Sequence, residues 1–350
     1  MNREVSGQVK IGSDGSFSPS NSPPLVKTPL LMYAILLFCF GVTAYLFGVA
    51  LVVPRYLLGL NAHLRTINEW IVWYSGIPVT LGVGLALVDV LALLSRKRPD
   101  EPVRFDPVVD RHVTVALTAY NDEASIGDAV KDFLASPFVR SLTVISNNSS
   151  DNTMSAASEA GAIVLNEPKQ GYGHCVYRCL EEGLAATDGS GLIVLCEGDM
   201  TFRAADIEKL IAYAPHADIV NGTRTVEPLR AHTTQLSTFM FYGNLFVGKL
   251  LEAKHLGRAT LTDVGTTYKL CRHDALKSLM PLLDPTLNLE FNPHFIDRAL
   301  GSGLKVVECP VTFHPRVGES KGGNVSNSRA LSVGLRMIMG ILTDWRLPTR

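Results

Sequence analysis

Leu192-Ile193-Val194-Leu195-Cys196-Glu197-Gly198-Asp199 decides how this chain reads. A run of apolar residues predicts a central strand, and it stops on two carboxylates separated by one glycine. Side chains alternate along a strand with period two, so Glu197 and Asp199 can point toward one place. Gly198 between them is expected to let a ligand approach the backbone closely. Two carboxylates at a strand end suit a hard cation, Mg2+ or Mn2+, held together with substrate phosphates. On spacing alone, a solvated strand end explains them equally well.

Outward from that strand, the sequence alternates between the two periodicities. Strands are expected at 113–119, 142–146, 162–165, 191–196 and 218–221, and helices at 123–134, 153–160, 173–186 and 204–213. This alternation predicts a mostly parallel sheet with helices on both faces. Ligands in such sheets bind at the carboxyl ends of the strands. After the first strand comes Ala119-Tyr120-Asn121-Asp122-Glu123, and after the second Asn147-Asn148-Ser149-Ser150-Asp151-Asn152-Thr153, dense in helix N-cap residues. After the third comes Lys169-Gln170-Gly171-Tyr172-Gly173, a basic, Gly-containing loop before a helix, where phosphate can sit. Each signal is weak alone, since a Gly-rich loop before a helix is usually a plain turn.

Composition adds a second component. Of 350 residues, 47% are hydrophobic and only 19% charged, so apolar sequence is concentrated somewhere. Leu30 to Val53 is 24 residues without a charge, about 36 Å of helix against a hydrocarbon core of about 30 Å. Trp70 to Ser95 is a second apolar run, with Trp70, Trp73 and Tyr74 as an interfacial belt and Arg96-Lys97-Arg98 closing it. The basic triplet predicts a cytoplasmic end, so that the N-terminal tail and everything after residue 98 share the cytoplasmic side. Asp89 interrupts the second run near that end, where it can reach water or pair with a base. Residues 1–29, rich in Ser, Gly and Pro, read as a disordered tail. A net charge of -1 argues against nucleic acid as a partner. Six cysteines without a CxxC pair fit unpaired thiols in a reduced compartment. Sequons at Asn147, Asn148, Asn221 and Asn324 are expected to stay unmodified.

Together, in this order and spacing, the strand-end segments resemble the family-2 inverting glycosyltransferases of GT-A fold, in particular their dolichol-phosphate-mannose-synthase-like branch. The resemblance covers about residues 112–322. It rests on Tyr120, Asn121 and Glu123 with Asp122 inserted, on Asn147, Ser149, Asp151 and Thr153, and on Glu197 and Asp199 in place of the family's Asp-x-Asp. It rests also on Gly222-Thr223-Arg224, on Thr262-Asp263-Val264-Gly265, and on Arg316-Val317-Gly318-Glu319-Ser320-Lys321, a signature specific to this branch.

The resemblance implies an α/β GT-A fold, a Rossmann-like mixed sheet flanked by helices, and the two apolar runs are expected to precede it as two transmembrane helices. It implies transfer of a sugar, with inversion, from a UDP- or GDP-linked donor to a polyprenyl (dolichyl or undecaprenyl type) phosphate. Donor-binding positions would be Ala119, Tyr120, Asn121, Glu123, Asn147 (where an acid that reads the base often sits), Asp151, Lys169, Gly171, Glu197, Gly198 and Asp263. Glu197 and Asp199 would hold Mg2+ or Mn2+. Asp199, Arg224, Arg316, Lys321 and Glu290 would serve catalysis, Glu290 as a base or, more plainly, as a helix-start acid.

The expected organisation is a tail over 1–29, two membrane helices over 30–95, a linker over 96–111, the transferase domain over 112–322 and a C-terminal amphipathic helix over 323–350. Apolar residues over 230–256 and 330–342 are expected to lie in the bilayer interface. Membrane lipid is thus a further expected partner, at the inner or plasma membrane or the cytosolic face of the ER, and a homo-oligomer is compatible with the sequence. The alternatives are a family-2 enzyme with another acceptor, such as a polysaccharide or other lipid, and a catalytically inactive nucleotide-sugar-binding scaffold. Arg316→Ala is expected to impair transfer while sparing stability.

Overall fold

A computed structural model describes residues 28–59, 61–94, 103–187, 189, 191–231, 234, 236–318 and 327–343. The N-terminal tail, the Arg96-Lys97-Arg98 triplet and Lys321 therefore lie outside the described residues.

The two apolar runs form helices long and apolar enough to cross a membrane, Leu30–Leu57 and Leu64–Leu93. The first comprises α1 (Leu30–Ala50) and α2 (Val52–Leu57). The second comprises α3 (Asn61–Tyr74), α4 (Gly76–Leu87) and a π-helical stretch, Val88–Leu93. They pack as an antiparallel pair at close range. A Cβ on Gly41 would stand 2.7 Å from the Ser75 carbonyl oxygen, and one on Gly82 would stand 2.7 Å from that of Ala34. Small residues permit such approach, as membrane helix pairs require. Asp89 is fully buried in the π stretch, and its Oδ2 accepts from the Leu31 N–H at 2.7 Å. It meets one of the orphan amides that opens α1, where Pro29 supplies no side-chain cap. Its observed role is to fasten the end of one helix to the start of the other.

Beyond residue 103 stands a seven-stranded sheet: β1 (Val113–Ala119), β2 (Val139–Ser146), β3 (Ile163–Asn166), β4 (Leu192–Glu197), β5 (Ile219–Thr223), β6 (Lys269–Arg272) and β7 (Val306–Pro310), in the order β3-β2-β1-β4-β6-β5-β7. All neighbours are parallel except β6, which runs antiparallel to β4 and β5. Every residue of β1 is buried, as expected of a strand covered on both faces.

One face carries α5 (Ile126–Leu134) and α8 (Ile207–Tyr213), around Val130, Phe133, Ile207 and Leu210. The other carries α7 (Tyr172–Ala185), α9 (Thr238–Lys254), α10 (His273–Leu279) and α11 (Phe291–Gly301). Helix α6 (Thr153–Glu159) follows β2, and α12 (Asn327–Thr343) ends the described chain. Met32 of α1 is fully buried in the same core cluster as Leu250, Leu251 and Ile341. Tyr33 donates to the Leu342 carbonyl at 3.2 Å, and Lys254 donates to that of Ile341 at 2.8 Å. The base of the first apolar helix is thus built into the α/β domain. All six cysteines are free thiols.

Candidate active site

β4 delivers Glu197 to the carboxyl edge of the sheet, and the chain turns sharply after it. Met200 has φ +66°, a costly backbone conformation for a long side chain, of the kind that clusters at functional sites. Asp199 is buried, and its Oδ1 accepts from the Thr201 N–H at 3.0 Å. Glu197 accepts from the Thr267 hydroxyl at 2.7 Å. Burial first, and then the neighbouring Asp199 charge, push the Glu197 carboxyl up to about 7. A Cβ at Gly198 would meet Ile126 Cδ1 at 2.4 Å and the Thr118 carbonyl oxygen at 3.3 Å, so a side chain there would have to displace Ile126 at the start of α5.

Arg224 follows β5 and is held by Asp263, with Nε to Oδ2 at 2.7 Å and Nη2 to Oδ1 at 2.8 Å. Burial works to raise the Asp263 carboxyl, but Arg224 and the backbone N–H donors of Arg224 and Gly265 outweigh it and hold it below the usual aspartate range. Asp263 thus orients an arginine at the expected donor site. Glu308 of β7 in turn fixes the Asp263 turn, accepting from the Asp263 N–H at 3.0 Å and the Thr262 hydroxyl at 2.6 Å. Arg316 lies on the segment after β7, which runs beside residues 199–201. The His314 N–H donates to the Thr201 carbonyl at 2.9 Å, and that of Val317 donates to the Asp199 carbonyl at 3.2 Å. Arg316 bridges Asp199 Oδ2 at 3.1 Å and Asp122 Oδ1 at 2.8 Å.

The loops expected to hold the nucleotide are sewn to one another. Glu123 Oε2 accepts from the Asn152 N–H at 2.9 Å, while Asp151 Oδ2 accepts from that of Glu123 at 3.2 Å. Asn121 has φ +51° and accepts from the Ser150 N–H at 2.7 Å. The Ala119 carbonyl accepts from the Asn147 N–H, and the Tyr120 N–H donates to Asp122 Oδ2 at 3.0 Å. Asn147, expected near the base, is buried and committed to the next loop. Its amide donates to the Glu167 and Lys169 carbonyls at 3.1 and 2.7 Å and accepts from the Gly171 N–H at 2.8 Å. Gly171, at φ +142°, opens α7, and the Lys169 side chain is exposed. Glu290 stands at the N-cap position of α11 without a side-chain cap bond, and its carboxylate pairs with Arg336 of α12.

Four residues join the site that the sequence did not single out. Asp122 is buried and holds Arg316. Tyr172, Thr267 and Asn292 form a chain beside Glu197, in which Asn292 Nδ2 donates to the Tyr172 hydroxyl at 3.0 Å and that hydroxyl pairs with Thr267. Asp122 and Tyr172 stand in the strand-end segments quoted from the sequence, after the first and third strands, but the sequence alone assigns no role to either. Glu197, Asp199, Arg224 and Arg316 face a cavity of about 590 Å3. Its far walls are apolar, with Phe239, Tyr242 and Phe246 from α9 and Leu331, Leu335 and Met337 from α12.

The profile of glycosyl transferase family 2 matches residues 114–280. An uncharacterized glycosyltransferase of Mycobacterium tuberculosis is 30% identical over 237 residues, 67% of this chain and 97% of the relative. This chain belongs to glycosyl transferase family 2. A second relative, the dolichyl-phosphate hexose transferase of Haloferax volcanii, is 25% identical over 210 residues, 60% of this chain and 86% of that one. Among solved structures, a mycobacterial protein shares the fold at TM-score 0.50 and 18% identity, covering 68% of this chain and 76% of that one. The family-2 enzyme described here is thus a glycosyltransferase of GT-A-like α/β fold with two candidate membrane spans at its N-terminal side.

Proposed function

We propose that this glycosyltransferase moves a sugar, with inversion, from a UDP- or GDP-linked donor to a polyprenyl phosphate. The observation that carries the reading is the two-ended cavity: carboxylates and arginines at one end, and a trough between α9 and α12 walled by aromatic and aliphatic side chains at the other. Such a shape suits an acceptor with an anionic head and a hydrocarbon tail. Phe239, Tyr242, Leu331, Leu335 and Met339 are also exposed, which suits helices lying at a bilayer surface. The name of the Haloferax relative supports the same acceptor class. Residues 30–95 would anchor the enzyme, 112–322 would form the transferase domain facing the cytoplasm, and 323–350 would complete the acceptor trough at the membrane.

The chemistry is a single displacement. An acceptor phosphate oxygen attacks the anomeric carbon as the bond to the donor diphosphate breaks, and the diphosphate leaves with the electron pair. The nucleophile is already anionic at neutral pH, so no base is needed, in keeping with Glu290 being engaged by Arg336. Arg224 and Arg316 counter the repulsion between donor and acceptor phosphates, and their planar forks suit paired phosphate oxygens.

Glu197 and Asp199 fit a divalent cation. Both are hard oxygen donors, and the raised Glu197 pKa reflects burial first and repulsion from Asp199 second, a penalty on negative charge that such a cation would relieve. Among the described residues no group of three or more His, Cys, Asp and Glu gathers for a metal, so substrate phosphate and water would complete the coordination. Mg2+ or Mn2+ held there would neutralise the leaving diphosphate.

The test offers membranes holding the full chain a panel of labelled nucleotide sugars with polyprenyl phosphate, and counts label in the organic phase. Chelator should abolish the signal. Label that appears only in water-soluble product would overturn the acceptor assignment.

A further inference from the structure

Arg316 stands between two negative charges. Its guanidinium joins Asp199 Oδ2 and Asp122 Oδ1, with the three side chains 15%, 4% and 8% exposed. Its Nε is buried without a hydrogen-bond partner among the described residues. The fork is therefore not fully used in this arrangement, and an unmet buried donor is costly. The segment that carries it is fastened by two backbone bonds, His314 N–H to Thr201 and Val317 N–H to Asp199. A cation that takes Asp199 competes directly with this guanidinium.

Resting on the metal reading above, we propose that Arg316 is an exchangeable counter-ion. It neutralises Asp199 in the empty enzyme and gives up that oxygen to a divalent cation. It is then free to turn its fork onto donor phosphates. Asp122 is the positioning residue that keeps it within reach during the exchange. Metal loading and release of the 314–317 segment are then one event. Affinity for the cation alone is lowered by the fraction of enzyme in which Arg316 occupies Asp199.

The experiment measures Mn2+ binding to the full chain in detergent, without nucleotide, by titration calorimetry, together with amide hydrogen exchange over residues 311–318. Arg316→Gln should bind Mn2+ about tenfold more tightly or better, and Arg316→Lys, which keeps the charge without the fork, should fall between. Saturating Mn2+ should speed exchange at the 314 and 317 amides in the natural protein, whereas in Arg316→Gln they exchange fast with or without it. Asp122→Asn should leave the guanidinium on Asp199 alone and weaken Mn2+ binding. Equal Mn2+ affinity in the natural protein and Arg316→Gln overturns the exchange and leaves the metal reading standing. Tighter binding with unchanged amide exchange also overturns it, since a simple field effect would do that. No Mn2+ binding to any of these proteins removes the metal reading, and this proposal with it.

Discussion

Asp263 grips the Arg224 guanidinium by both carboxylate oxygens, at 2.7 and 2.8 Å, and is itself fully buried. Removing one partner leaves the other as an uncompensated buried charge. Asp263→Asn should therefore cost about 3–5 kcal/mol of stability, read as a lower midpoint of thermal unfolding in detergent, and should also lower transfer by misplacing Arg224. The Asp263 carboxyl sits below its ordinary value of 3.8 in the folded protein. Its stabilising contribution is thus complete above that value and lost as pH falls from 3.8 toward the lower folded pKa. Asp263→Asn should flatten the acid limb of the stability curve.

Glu197 carries the opposite sign. Its pKa rises from 4.5 to about 7 on folding. The folded state thus resists ionising it, and stability should fall as pH rises between those two values in metal-free protein. Glu197→Gln should remove that slope and raise metal-free stability at pH 8 by about 1 kcal/mol or more, while transfer is lost. Unfolding midpoints of both proteins across this pH range check it.

Arg316→Ala should lower kcat/KM at least about a hundredfold, roughly 2.7 kcal/mol of transition-state stabilisation. Arg316→Lys should recover only part of it, since the charge returns without the fork. Stability should change as well, contrary to the sequence-based expectation. The deletion leaves Asp122 and Asp199, each under a tenth exposed, facing one another without a counter-charge.

Lys254 and Asp297 meet at 2.7 Å in the core, His255 also reaches Asp297, and Lys254 holds the end of α12 through Ile341. Lys254→Met should destabilise the protein by about 3 kcal/mol. Because α12 walls the apolar trough, the variant should also raise KM for the acceptor with little change in donor KM. Steady-state kinetics with each substrate varied separately tests this split.

The first five strands were legible in the sequence, four of them through burial and β3 through its short apolar run although none of its residues is buried. β1, β2, β4 and β5 announce themselves as apolar runs followed by polar loops. β6 does not, because Lys269 and Arg272 make half of it charged. Lys269 is nonetheless fully buried, donates to the Thr266 carbonyl and lies 5.9 Å over the Phe295 ring, and burial lowers its pKa to about 8. Glu308 interrupts β7 in the same way, for a cradle formed with a turn 45 residues away. At the site, Glu197 and Asp199 line the cavity from the end of β4, where strand geometry fixes direction. Asp122, Tyr172 and Asn292 were not legible, since Asp122 meets Arg316 from a loop, and Tyr172 and Asn292 reach the cavity from two helices whose approach only tertiary packing sets. Asn147 shows the converse. Its place after β2 was right, but its hydrogen-bonding capacity is spent on a neighbouring loop.

Met32 belongs to the hydrophobic core of the catalytic domain as fully as Leu250 does. The first apolar helix is accordingly not a leash that can be cut without consequence for the α/β domain. A chain begun near residue 103 would lose part of the floor beneath α9 and α12 and present raw apolar surface where Met32 and Tyr33 had been. The same joint fixes the height and tilt of the sugar-handling end relative to the helix pair, so the enzyme meets its surroundings at one set altitude rather than over a range of poses.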